Sequence, residues 1–362
     1  MKEKKVKKKR NKKSKNKKKT VSRIVLFIVG IIVFGSGIVG YFYVASTINP
    51  GLKSVYEIIP LSVAKIENSE SISSKQLFQD TAAVKKFYES KDYAHRGERV
   101  DFSTKAGKIR MRIKEKDVLN KLIEDKIIQR IAESKGIKIS AQDINKAIEK
   151  SLTTSNSDYQ KLATNLNSNY GWTIKQFKNK VVKNQLYLNK LFKWYKNNLQ
   201  NSSDYKRAQK AKASISAEGG NFDEIVHKFS DGESAEQDGR IAWIEEVNII
   251  PEVADTLASM EEGQISDVII SPLGMHIVML EKRREVKDKD GIIKRELQLK
   301  QVFIKGKSFV NWVQEQKKQI KVEIFLKEYQ WDENIGEVEF SDLKFQEVVK
   351  KIKAKSQGDP SL

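Results

Sequence analysis

The chain holds three histidines, His95, His227 and His276, and no cysteine. The histidines lack ligand spacing, so no metal site is expected. Without cysteine there are no disulfides, thiol nucleophiles, thiolate ligands or lipid-modified cysteine. There is also no G-x-G-x-x-G, no P-loop and no G-x-S-x-G, which leaves cofactor binding and serine hydrolysis without support. What remains is His276 within Ser271-Pro-Leu-Gly-Met-His276-Ile-Val-Met-Leu280, where a turn at Gly274 feeds an apolar strand with an imidazole at its mouth. Such a group can hydrogen-bond inside an apolar setting or, less simply, move a proton. Its plainer alternative is a structural imidazole that only satisfies its neighbours.

The elements that must position this histidine lie upstream. They are Gly219-Gly-Asn-Phe222-Asp-Glu-Ile225, Phe229-Ser230-Asp231, Gly239-Arg-Ile241-Ala-Trp243, Ile249-Ile-Pro251-Glu-Val253 and Gly263-Gln-Ile265-Ser266, in that order. With the His276 strand, this series resembles the parvulin-type (PpiC-like) peptidyl-prolyl isomerase domain over residues 219–280. The resemblance implies cis-trans isomerisation of X-Pro peptide bonds. It also implies a pocket walled by Ile241, Ile249 and Val253, with His276 as the C-terminal histidine and Gly232 at a position often held by Cys or Asp. No cofactor is implied. Crossing the amide barrier of ~18–20 kcal/mol needs neither nucleophile nor metal; a pocket that favours the twisted amide suffices.

Parvulin domains open with a strand that carries a histidine, then aliphatic residues and a lysine, and no such strand precedes Phe222. Past the His276 strand, Asp288-Lys-Asp290-Gly291 signals a hairpin turn. The stretch Gln301-Val-Phe-Ile-Lys305 then resembles the missing strand, with Gln301 in place of the histidine. A circularly permuted domain, with 296–305 as the displaced first strand, is one reading; a simple hairpin extension is the other. Gln301, Gly232 and the small Val253 leave two outcomes open: an isomerase with altered polar groups, or a fold kept for binding alone.

Ahead of this region the period is helical. Ser73 or Ser74 can cap a helix to about Ser90, and residues 91–108 read as a polar loop. From Asp117, apolar residues recur at three- and four-residue spacings up to Gly136. Ser140 with Asp143 then gives a capping-box start, a third helix covers Asp158–Asn167, and after Tyr170-Gly171-Trp172 a fourth runs from Thr173 to about Leu199. This order is similar to the N-terminal helical domain of the SurA and PrsA chaperones, although it also describes an unrelated helical bundle. In such chaperones a later segment returns to complete the helical domain, and Ser308–Gln319 with the strand Ile320–Leu326 fits that role.

Of the net charge of +21, residues 1–23 supply +13, fourteen Lys/Arg against one Glu, which leaves +8 for the other 339 residues. Ile24–Ala45 follows without a charge and is long enough to span a ~30 Å hydrocarbon core as a helix. The basic flank predicts a cytoplasmic N-terminus. A cleaved signal peptide is the rival reading, with Val44-Ala-Ser46 as its cleavage chemistry, but an h-region is usually only ~7–15 residues. The adjacent span accounts for the lysine arm, and no aromatic residues interleave with it for stacking on bases, so no nucleic-acid partner is expected.

Taken together, the sequence predicts an α+β protein: a basic cytoplasmic arm 1–23, a transmembrane anchor 24–45, a SurA-N-like helical domain 48–200, a parvulin-like domain 204–305 with a small antiparallel sheet, a returning segment 306–328 and a C-terminal tail 329–362. Residues 48–362 are expected to be extracytoplasmic. The expected function is a membrane-anchored folding factor that binds unfolded or exported, proline-containing polypeptides and isomerises their X-Pro bonds. The alternative is a non-catalytic envelope scaffold or holdase.

Overall fold

A computed structural model describes residues 61–67, 70–90, 101–217, 220–288 and 291–355. The basic arm, the expected anchor at 24–45 and the end of the tail lie outside the described residues. Among those described, no helix is long and apolar enough to cross a membrane. The chain divides into two compact units, the residues up to Asn189 together with those from Lys317 onward, and Lys190–Gln316.

The first unit begins with the strands β1 (Ser62–Ile66) and β2 (Glu70–Ser73). Ser73 Oγ accepts the Gln76 N–H at 3.2 Å and so opens helix α1 (Ser74–Tyr88). The long helix α2 runs Lys105–Ser134, capped by Thr104, whose Oγ1 accepts the Gly107 N–H at 2.9 Å. The polar-loop reading of 91–108 is therefore corrected at its C-terminal end, and α2 starts well before Asp117. Its first half is dense in Lys and Arg, which hides the period, yet Ile109, Ile113 and Lys116 are all buried.

Helix α3 (Ala141–Thr154) carries the capping box expected at Ser140 and Asp143. Helix α4 (Tyr159–Tyr170) stops at Gly171, whose φ of 69° closes the helix in the left-handed region. Thr173 caps α5 (Ile174–Phe177), a π-turn spans Lys178–Val182, and α6 (Lys183–Leu199) continues the same rod. Phe87 of α1 stacks on Tyr170 of α4 with centroids 5.1 Å apart, inside a core that also buries Ile148, Leu166 and Val181.

The second unit holds helices α7 (Ser203–Ser216) and α8 (Phe222–Phe229), strand β3 (Arg240–Glu245), the short helix α9 (Pro251–Leu257), and strands β4 (Ile269–Ser271), β5 (Gly274–Lys287) and β6 (Ile293–Ile304). Helix α10 (Phe309–Lys317) follows. The sheet is antiparallel in the order β3-β6-β5-β4. The β5–β6 hairpin turns at the predicted place, with Gly291 at φ 72° and its N–H donating to Asp288 O at 2.9 Å; Asp290 lies outside the described residues.

Because side chains alternate across a strand, the register assigns each residue to a face. Ile269, Val278, Leu280, Leu297 and Leu299 pack with Val253 and Leu257 of α9 in one cluster. Lys300, on the opposite face, pairs with Asp223 of α8. The sheet is thus covered by α9 on one side and by α8 on the other.

After α10 the chain re-enters the first unit. Strand β7 (Val322–Ile324) pairs antiparallel with β1 through Ala64↔Ile324, which completes a sheet in the order β2-β1-β7. The region beyond Glu328, expected as a C-terminal tail, contains the hairpin β8 (Tyr329–Asp332) and β9 (Glu337–Phe340), followed by helix α11 (Leu343–Lys355). Its docking is polar as well as apolar: Lys116 Nζ of α2 donates to Val338 O at 3.1 Å, and the Val338 N–H donates to Asn120 Oδ1 at 2.9 Å.

Lys317 is fully buried, with its Nζ 2.7 Å from Glu124 Oε1 of α2. Lys317→Ala removes the charge partner of Glu124, itself 29% exposed, and empties the space of the buried alkyl chain, so it is expected to cost about 3 kcal/mol, and Lys317→Met, which keeps the packing, clearly less. Urea denaturation of the two variants beside the parent chain measures both. Equal losses would assign the effect to the lost charge pair alone.

Candidate functional site: an imidazole on an apolar sheet face

The turn Ser271-Pro-Leu-Gly274 joins β4 to β5 and sets Ser271 opposite Gly274 and Ile269 opposite His276. Gly274 has φ 155°, and a Cβ there would lie 2.6 Å from Ile304 O of the neighbouring strand. Only glycine fits so close an approach. His276 follows at once and is only 5% exposed.

Two side chains hold its ring. Nε2 lies 2.8 Å from Ser271 Oγ, and Nδ1 lies 3.4 Å from Gln301 Oε1 on β6. With the Gln301 oxygen facing the ring, Nδ1–H donates to Gln301, and Nε2 accepts the Ser271 hydroxyl proton. Ser271 Oγ in turn accepts the Leu273 N–H at 3.1 Å. Burial pushes the His276 pKa below its usual value, and the Gln301 hydrogen bond opposes that shift only in part. The imidazole is neutral near pH 7.

This shift has a defined sign in stability. An unfolded histidine titrates near ~6.5, above the folded value, so the unfolded chain takes up the proton first as the pH falls. The contribution of His276 is therefore complete above about pH 6.5 and is lost progressively below it. Denaturation midpoints at a series of pH values should fall below that point in the parent chain and fall less in His276→Gln. Identical profiles would contradict the burial argument.

The residues singled out from sequence fall into three groups. His276 and Gln301 are brought together, one register step apart on adjacent strands, where His276 faces Phe303 and Val278 faces Gln301. Ile241, Ile249 and Val253 share the apolar cluster on the same sheet face, the first two half-buried and Val253 only 4% exposed. Gly232 is separate. The structure places it against the Phe303 side chain, 3.3 Å from Phe303 Cβ to the point its own Cβ would occupy.

Sequence reasoning missed Ser271 and Phe303. Ser271 had a signal: a two-residue turn between it and Gly274 puts its side chain back beside the strand that carries the imidazole. For Phe303 the signal is the period of two, which sends Gln301 and Phe303 to one face.

The face thus runs from a packed aliphatic cluster to a neutral, doubly hydrogen-bonded imidazole. Such an arrangement can desolvate an apolar ring and orient an amide without charge or covalent chemistry. Residues 189–282 match the rotamase family, PPIC-type PPIASE domain. The chain is 35% identical over 115 residues to chaperone SurA of Pseudoalteromonas translucida, covering 31% of this chain and 26% of that one. It is 38% identical over 66 residues to chaperone SurA of Hydrogenovibrio crunogenus, covering 18% and 15%. Over 67 residues it is 30% identical to chaperone SurA of Cupriavidus pinatubonensis, covering 18% and 13%. In each case the similarity spans about a quarter or less of the relative's length.

The chain carries a parvulin domain of the PpiC type. Over part of its length the chain is thus similar to SurA chaperones, and it combines helices with small antiparallel sheets.

Proposed function

We propose that this protein is an extracytoplasmic folding factor, anchored by residues 24–45 with residues 1–23 in the cytoplasm, that engages unfolded client chains and isomerises their X-Pro bonds on its parvulin domain. The observation that carries the reading is the neutral His276, clamped by Ser271 and Gln301 on the sheet face that also presents Ile241 and Ile249. A prolyl ring seated on that face leaves water. The twisted amide, which no longer conjugates its nitrogen, is then favoured over the planar one. His276 and Gln301 fix the polar edge of the site, Ile241, Ile249 and Val253 supply its apolar wall, and neither a metal nor a cofactor takes part.

The domain is a circular permutation of the parvulin arrangement in this reading. The family match ends at residue 282, yet the strand between β3 and β5 is β6, from Ile293–Ile304. Parvulin structures set their first and last strands side by side, so β6 stands for the first strand, entered from the back. A second reading is favoured by one specific observation: Gln301 and Gly232 occupy positions where parvulins carry titratable side chains. On that reading the domain binds proline segments without accelerating their exchange.

Two experiments test the broader proposal. Protease added outside intact cells should digest residues beyond 48 and spare an N-terminal tag. The purified full chain in detergent should suppress aggregation of a denatured, proline-containing client at near-equal molar ratio. A protected C-terminus would refute the topology, and undiminished aggregation would refute the chaperone role.

A further inference from the structure

Phe303 lies directly across the ladder from His276, with the ring centroids 4.9 Å apart and the planes tilted by 39°. Its side chain is half-buried, on the face shared by Gln301 and the aliphatic cluster. The backbone around it is held by the segment after α8. The Phe303 N–H donates to Ser230 Oγ at 3.0 Å, and Phe303 O accepts the Asp231 N–H at 2.6 Å. Asp231 also accepts the Lys305 N–H at 3.0 Å and is paired with Arg207.

Two glycines flank the aromatic side chain. A Cβ at Gly232 would sit 3.3 Å from Phe303 Cβ and 3.6 Å from Cδ1, and one at Gly274 would sit 2.9 Å from Cε2 and 3.1 Å from Cζ. The backbone of Gly232, at φ −84° and ψ 152°, is open to any residue. What glycine supplies there is room for the Phe303 side chain. A larger residue at 232 would press on the Phe303 side chain.

Val253 of the expected pocket wall is small and almost wholly buried. The aromatic side chain beside the imidazole comes from β6 instead. Resting on the isomerase reading above, we infer that Phe303 is the substrate-contacting aromatic residue of this site: its exposed face receives the prolyl ring of an X-Pro segment, and its other contact buries and orients His276. No bond is made or broken in this role. The prolyl C–H groups meet an aromatic face, and the imidazole stays neutral.

The test uses the full chain in detergent and a tetrapeptide with a central Leu-Pro bond. Phe303→Leu keeps apolar bulk and removes the ring, so kcat/KM should fall about tenfold, mostly through KM. The His276 titration, followed by its ring-proton resonances, should move up toward its usual value as burial is relieved. Gly232→Cys should lower activity alone, by displacing the aromatic side chain, and should do so much less when combined with Phe303→Leu. In the parent chain, which requires no variant to fold, bound peptide should show nuclear Overhauser contacts from prolyl protons to the Phe303 ring.

Contacts to Val253 methyls without any to Phe303, or a Phe303→Leu chain within twofold of the parent with an unmoved His276 titration, would overturn the inference and leave the isomerase reading standing. So would Gly232→Cys raising activity with Phe303 in place. A parent chain that neither binds nor isomerises the peptide would remove both.

Discussion

Replacing His276 by alanine is expected to lower kcat/KM for X-Pro isomerisation about thirtyfold. The ring accepts the Ser271 hydroxyl proton, donates toward Gln301 and packs against Phe303. Its loss takes the ring partner from Gln301 and from Ser271, which keeps only its contacts with Gly274 O and the Leu273 N–H, and opens a gap beside the aromatic ring. An unsatisfied buried polar group costs about 1–3 kcal/mol. Assigning roughly 2 kcal/mol of that to the transition state gives the thirtyfold figure. His276→Gln can keep one hydrogen bond and should lose less. Since the imidazole is neutral already, the parent rate should be flat from about pH 7 to 8.5; a rate that climbs steeply through that range would assign a proton transfer that the geometry does not call for.

A large loss of stability is expected from Gly239→Ala. Gly239 has φ 74°, and a Cβ there would lie 2.4 Å from Gln301 O and 2.8 Å from Val226 Cγ2. It also accepts the Gln301 N–H at 2.9 Å. The substitution therefore adds a left-handed penalty of about 1–2 kcal/mol to a clash with the backbone of β6, an interior strand of its sheet. A total near 4 kcal/mol is expected. Gly263 gives the control: its φ is 83° but nothing lies within 4 Å of a Cβ, so Gly263→Ala should cost only about 1 kcal/mol. Urea midpoints compare the two directly. Because the Gly239 clash falls on Gln301, activity in that variant should drop even under conditions where it stays folded.

The sequence shows how far local chemistry reaches. Ser73, Ser140 and Thr173 announce their helices because a cap needs only one side chain and a backbone three residues on. Gly274 and Gly291 mark their turns because the backbone there must go where other residues do not. The start of α2 at Lys105 was hidden, since Lys116 and its basic neighbours mask a buried face that becomes apolar only when Lys116 reaches the Val338 carbonyl. That contact spans 222 positions along the chain, beyond any local pattern. The β8–β9 hairpin was missed for the same reason: Tyr329, Val338 and Phe340 are too few and too interrupted by charge to read as strands.

The site was legible in halves. The residues quoted around His276 named the parvulin pattern, and the pairing of β5 with β6 puts Gln301 within reach of the ring. What escaped was the aromatic side chain across the ladder from His276. From sequence, Gly232 reads as a loss, whereas in three dimensions it leaves room for Phe303. Composition cannot report such a contact, because its two members are seventy-one positions apart and meet only through the segment after α8.

The most direct test is the exchange rate of a Leu-Pro tetrapeptide, followed by exchange spectroscopy without a coupling protease, in the presence of the purified full chain. Exchange should accelerate in proportion to chain concentration and be about thirtyfold weaker with His276→Ala. Exchange no faster than in buffer, or equal acceleration by the parent and His276→Ala chains, would contradict that expectation.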